Sequence, residues 1–98
     1  MEKPSERLNR KIIIDHLWLP VLTMLLKRKM IGYEIRGEIK KHYGFWCGNV
    51  TAYKVLYLLE KDGYVKSERI SGKVYYTITA RGRGELNQGK KILRKLAV

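Results

Sequence analysis

The sequence predicts a mainly α-helical fold carrying one small β-hairpin, an α+β arrangement, on three observations. Apolar residues recur at helical spacing in four stretches, two β-favouring runs flank a turn containing Ser71 and Gly72, and 98 residues suffice for one domain, taken as residues 1–98. A chain this short buries only roughly two-thirds of the surface its unfolded form exposes, so a large apolar excess points to a partner chain.

From about Ser5 to Lys29 the pattern is helical, with Leu8, Ile12, Trp18, Leu22, Leu25 and Leu26 among the apolar positions. Pro20 lacks an N–H and clashes with the preceding turn, so the segment should divide into two helices near Leu17 to Leu19. Apolar residues between Ile12 and Leu26 cover nearly the whole circumference, more than one face of a small domain can bury. A second subunit is the simplest cover, and a homodimer is expected through Ile13, Leu17, Trp18 and Val21, with Leu93 and Leu96 from the last helix.

The next helix is expected from about Gly32 to Tyr43, with Tyr33, Ile35, Ile39 and Tyr43 facing inward, Arg36, Lys40 and Lys41 outward, and Gly44 as the stop. Another follows from Asn49, a good N-cap, to Asp62, with Ala52, Val55, Leu56 and Leu59 on one stripe and Gly63 ending it. Tyr64 to Glu68 and Val74 to Ile78 read as the strands of the hairpin, with Arg69 to Lys73 between them. Thr79 can cap a last helix from about Ala80 to Leu96, weakened by Gly82, Gly84 and Gly89.

Charge narrows the function. Lys and Arg number 21 against nine Asp and Glu, a net charge of +12. Such a surplus repels itself unless a polyanion neutralises it, and nucleic acid and an anionic membrane surface are the two candidates. The most apolar stretch, Ile12 to Leu26, contains Asp15 and His16 and is shorter than the ~20 residues of a bilayer span, so no membrane helix is expected. One cysteine, Cys47, closes no intrachain disulfide, and nothing near Met1 resembles a signal peptide, so a cytoplasmic location is expected.

Helix, helix, helix, hairpin, helix is the plan of a winged helix-turn-helix, in which the third helix enters the major groove of double-stranded DNA. Side chains in its first turns reach base edges, and here those are Asn49, Thr51, Tyr53 and Lys54. Asn can pair bidentately with adenine, and Thr can bond a base or touch a thymine methyl; N-cap preference alone also accounts for Asn49. Lys54 lies off the apolar stripe and suits a phosphate, whereas Tyr53 and Tyr57 on its flank suit either packing or phosphate bonding. Lys66, Arg69 and Lys73 surround the hairpin turn, where a wing follows the backbone or enters the minor groove, and Arg36, Lys40 and Lys41 could hold further phosphates.

These residues resemble a family. Met30-Ile31-Gly32-Tyr33-Glu34-Ile35 is similar to the segment leading into the second helix of PadR-type regulators, and Thr51-Ala52-Tyr53 stands where that family has Thr-Leu-Tyr. Leu59-Glu60-Lys61-Asp62-Gly63-Tyr64-Val65 and Tyr75-Tyr76-Thr77-Ile78-Thr79-Ala80-Arg81-Gly82 continue the likeness in the same order, over about residues 20 to 86. The resemblance implies a dimeric DNA-binding regulator of transcription, usually a repressor. This chain departs from the family pattern in its short wing turn and in carrying Lys54 where a proline follows the recognition-helix tyrosine.

Other readings fare worse. His16 and His42 lie far apart without catalytic partners, and His42 with Cys47 supplies two ligands where structural zinc wants four, so neither an enzyme nor a metal or cofactor site is expected. One Arg81-Gly82-Arg83-Gly84 segment is not a disordered RNA-binding repeat, and Lys90, Lys91, Arg94 and Lys95 also suit the end of a helix dipole. The competitor from another class is a winged-helix module binding RNA or protein. A small-molecule effector stays open and unidentified: Trp18, Phe45 and Trp46 would line its pocket or else sit in the core.

Overall fold

Pro20 settles how the long apolar stretch is divided. In the computed structural model, which describes residues 1–97, helix α1 (Pro4–Asp15) stops before it and α2 (Trp18–Leu25) takes the proline into its first turn, where no N–H partner is needed. Val98, the last residue of the expected domain, lies outside the described residues.

The break redirects the second half of the stretch, so that apolar residues of both helices meet in one place. Ile13, Leu17 and Val21, expected at a subunit interface, are only 7%, 3% and 2% exposed within the chain's own core. That expectation is corrected: a straight helix would display these residues around its circumference, whereas the bend after Asp15 turns them inward together with Leu22, Met24 and Leu25.

The chain continues through β1 (Met30–Ile31), α3 (Gly32–Tyr43), α4 (Asn49–Lys61), β2 (Val65–Ile70), β3 (Lys73–Ile78) and α5 (Ala80–Ala97). Among the described residues this makes five helices and a three-stranded antiparallel sheet in the order β1-β3-β2, a winged helix-turn-helix. The strand β1 is unannounced in the sequence, being two residues long; Met30 pairs with Tyr76 and Ile31 with Tyr75.

The hairpin is tighter than expected. Its strands pair from Val65–Ile78 to Ile70–Lys73, so Arg69 and Lys73 belong to strand ends and only Ser71 and Gly72 form the turn. Both have positive φ, 50° and 80°, the backbone of a type I′ turn whose twist suits the strands it joins.

Helix α3 begins where expected because Glu34 reaches back to accept the Ile31 N–H at 3.1 Å. Ile35 and Ile39 are buried, but Tyr33, expected inside, is 68% exposed, because it sits on the opposite side of the first turn from them. Helix α5 starts with Thr79 Oγ1 accepting the Gly82 N–H at 3.0 Å. Gly82 is required there by close approach: a Cβ at this position would lie 2.1 Å from the Tyr64 carbonyl oxygen.

Candidate nucleic-acid interface

The geometry of α4 follows from its apolar stripe. Ala52, Leu56 and Leu59 are buried and Val55 is half-buried, which fixes the rotation of the helix against the core. At 3.6 residues per turn the side facing directly away holds Val50, Lys54, Tyr57 and Lys61, spaced i, i+4, i+7 and i+11, and all four are exposed. Asn49 and Thr51, also exposed, flank that ridge in the first turn.

The entry to the helix is held from α3. Arg36 Nε donates to the Cys47 carbonyl at 2.9 Å and its Nη1 to Asn49 Oδ1 at 2.7 Å, while the guanidinium lies 5.4 Å from the centroid of the Trp46 ring. Two expectations change as a result. The N-cap residue is Gly48, and Asn49 is the first helical residue with no capping bond; its oxygen is turned toward Arg36. Arg36, read as an outward phosphate ligand, is half-buried and directs much of its donor fork into the protein.

Tyr53 lies across the start of α3. Its ring occupies the space a Cβ at Gly32 would need, with the hydroxyl 2.6 Å from that point, so a glycine there admits the tyrosine between the two helices. Tyr53 remains 46% exposed and Tyr57 is 64% exposed. Trp46, assigned to the core or a pocket on the sequence, is 53% exposed because stacking by Arg36 holds it at the surface; Phe45 and Trp18 pack against the core instead.

The cationic side chains stand in water. Lys40, Lys41, Lys54, Lys66, Arg69 and Lys73 are all exposed. Ion pairs among the described residues join Arg10 to Glu2 and Arg28 to Glu34, the His42 ring meets the Glu38 carboxylate at 3.0 Å, and those six cations are left out. Lys40 Nζ donates to the Gly44 carbonyl at 3.2 Å, and Arg69 Nη1 to that of Gly72 at 3.5 Å. The wing and α4 belong to one assembly, with Ser67 of β2 hydrogen-bonded to the Glu60 carboxylate of α4.

Catalytic chemistry finds little here. Cys47 is 4% exposed, and burial pushes its thiol pKa up against the opposing pull of Arg36, so it stays a protonated small apolar residue. Glu34 is held below the usual carboxylate range by the Ile31 N–H and then by Arg28, a structural arrangement at the start of α3. No helix among the described residues is long and apolar enough to cross a membrane.

Sequence reasoning passed over Val50 and misplaced Trp46. Helical arithmetic on Ala52, Leu56 and Leu59 puts residue 50 on the outward ridge and is the signal that finds it; the contact between Arg36 and Trp46 is non-local and leaves no signal in the sequence.

Comparison with known proteins agrees with this architecture. A model of the transcriptional regulator PadR-like family matches residues 21–88. A transcriptional regulator from Clostridium thermocellum superposes with a TM-score of 0.81 at 25% identity, covering 89% of this chain and 88% of that one. A PadR family transcription regulator from Clostridium difficile gives 0.76 at 25% identity, covering 84% and 91%. Bacillus subtilis PadR, solved in complex with operator DNA, gives 0.66 at 28% identity over 74% of this chain and 45% of that one. Among curated proteins, none matches the chain by sequence.

Proposed function

Since the chain belongs to the PadR-like family of transcriptional regulators, we propose that it binds double-stranded DNA sequence-specifically as a homodimeric repressor, with the first turns of α4 in the major groove and the β2–β3 wing on the backbone or in the minor groove. The observation that carries this reading is the outward ridge of α4, where Val50, Lys54 and Tyr57 are exposed and no element among the described residues covers them, in a chain of net charge +12. Lys54 on α4 and Lys66, Arg69 and Lys73 on the wing supply phosphate contacts, and Thr51 and Asn49 supply polar contacts to base edges.

Dimerisation is the second part of the proposal. Ile12, Trp18, Leu19, Ile92, Leu93 and Leu96 line an apolar groove of about 240 Å³ between α1, α2 and α5. Leu93 and Leu96 are exposed and Trp18 is half-buried, so these three, rather than Ile13, Leu17 and Val21, are the interface residues the proposal retains. An apolar surface of this kind, continued one turn along α1 from Ile12 by Leu8, itself 60% exposed, suits a second copy related by a two-fold axis.

The test has two stages. Binding of a random duplex should weaken steeply with salt, log K falling by about 0.9 for each phosphate neutralised with every tenfold rise in salt. Selection of bound sequences from random DNA should then return an inverted repeat with half-sites about one helical turn apart. Absence of duplex binding, or equal or tighter binding to RNA, would overturn the proposal in favour of an RNA- or protein-binding module.

A further inference from the structure

We propose that Val50 is a specificity-determining residue that reads the 5-methyl group of a thymine, an inference that rests on the placement of α4 in the major groove proposed above. Apart from Met1, Val50 is the most exposed large apolar residue among those described, at 83%. Nothing in the fold requires it. Helix formation does not favour a β-branched residue, which loses χ1 freedom against the preceding turn, and the core is on the far side of the helix.

Its position is what a reader of bases requires. Val50 is the second residue of α4, in the turn that comes nearest to base edges, and it stands on the outward ridge while Asn49 and Thr51 stand beside it. The first turn therefore presents an apolar apex between polar shoulders. A valine side chain has no donor or acceptor, so the feature of a base pair it can recognise in the major groove is the one apolar group displayed there, the C5-methyl of thymine. Its stiff χ1 keeps the two branch methyls in one place, which limits the freedom lost on contact.

The experiment uses the full chain and its selected operator, with thymines replaced one at a time by deoxyuridine, a change that removes the methyl and leaves base pairing intact. Wild-type protein should lose about fourfold in affinity at one thymine of each half-site, the weight of one buried methyl-sized group. The Val50→Ala variant, whose fold is checked by circular dichroism and thermal melting, should bind the thymine and uracil operators about equally at that position and should leave other positions unchanged. A uracil penalty that persists unaltered in Val50→Ala, or no penalty at any thymine, would overturn the inference while leaving DNA binding intact. Failure of the wild-type chain to bind any duplex would instead overturn the functional proposal, and this one with it.

Discussion

Arg36 donates to the side-chain oxygen of Asn49 across 13 residues of sequence, at 2.7 Å, and so decides which end of that amide faces outward. An arginine only donates, so the oxygen must be the bonded atom and the NH₂ is the part left for a ligand. In this arrangement Asn49 offers donors without an accompanying acceptor, which suits a phosphate or a purine N7 better than the two-point adenine pairing the residue type suggests.

Replacing Asn49 by Asp separates the two roles. Asn49→Asp keeps an acceptor for Arg36, adds charge assistance and puts an anion at a helix N-terminus, so thermal stability should hold or rise slightly. DNA affinity should fall by about tenfold or more, since a donor is lost and a negative charge faces phosphate. Melting curves and fluorescence anisotropy check the two arms; loss of both together would mean that the residue acts through the fold.

Thr51 and Lys73 should differ in kind. Thr51→Ala is expected to cost about 1–3 kcal/mol on the selected operator and little on random duplex, whereas Lys73→Ala should weaken both and reduce the salt slope by about one. Titrations of both DNAs at several salt concentrations give the comparison. Equal behaviour of the two variants would remove base reading by Thr51.

Glycines of α5 are not equivalent. Gly82→Ala would bring a Cβ to 2.1 Å from a backbone oxygen and 2.8 Å from Ile78, so neither neighbour can yield easily. It should destabilise the chain by about 3 kcal/mol, at the upper end of overpacking costs. A Cβ at Gly84 would meet nothing within 4 Å, so Gly84→Ala should stabilise, by about 0.5–1 kcal/mol on helix propensity. Denaturant unfolding of both variants tests the pair.

The apolar groove beside α5 bears on assembly. Leu96 is 78% exposed and Leu93 38%, and a charged residue at either place would be desolvated in a dimer. Leu93→Glu with Leu96→Glu should raise the dimer dissociation constant by about ten-thousandfold, since the two subunits together lose four leucines at roughly 1.5 kcal/mol each. Sedimentation equilibrium of wild type and variant decides; a wild-type monomer at micromolar concentration would defeat the homodimer.

Glu34 links stability to pH. Its pKa is depressed in the folded chain by the Ile31 N–H and by Arg28, so its contribution is fully present above the unfolded carboxylate pKa and is lost as pH falls through the lower folded value. Glu34→Ala should therefore melt below wild type at pH 7, with the gap closing in acid. The carboxylate is partly exposed, so the effect is modest and should shrink in high salt. A gap that is independent of pH would assign the loss to helix packing alone.

Local chemistry was readable in the sequence wherever a single element decided the outcome. Pro20 divides the N-terminal stretch, α3 runs from Gly32 to Tyr43 as its spacing indicates, and Ala52, Leu56 and Leu59 define the buried side of α4. Errors came where a neighbour decides. Ile13, Leu17 and Val21 looked like surplus surface because periodicity describes one helix and not the bend that folds it onto another. Trp46 and Tyr33 looked internal by residue type, yet Arg36 holds the first at the surface and the inward places of α3 go to Ile35 and Ile39. Two residues of β1 carry too little pattern to be seen without Tyr75 and Tyr76 beside them.

Those two residues have a mechanical effect beyond their length. Met30 and Ile31 run straight into α3 while pairing with the inner strand of the hairpin, so the wing is anchored on one side to the helix-turn-helix and on the other closed by a two-residue turn. A wing tethered in this way has little slack to lose on contact, so the proposed complex would form by the joining of two preformed shapes. Whatever adjustment that proposed complex needs would then fall on the duplex, whose bendability at uncontacted steps would become part of what is selected.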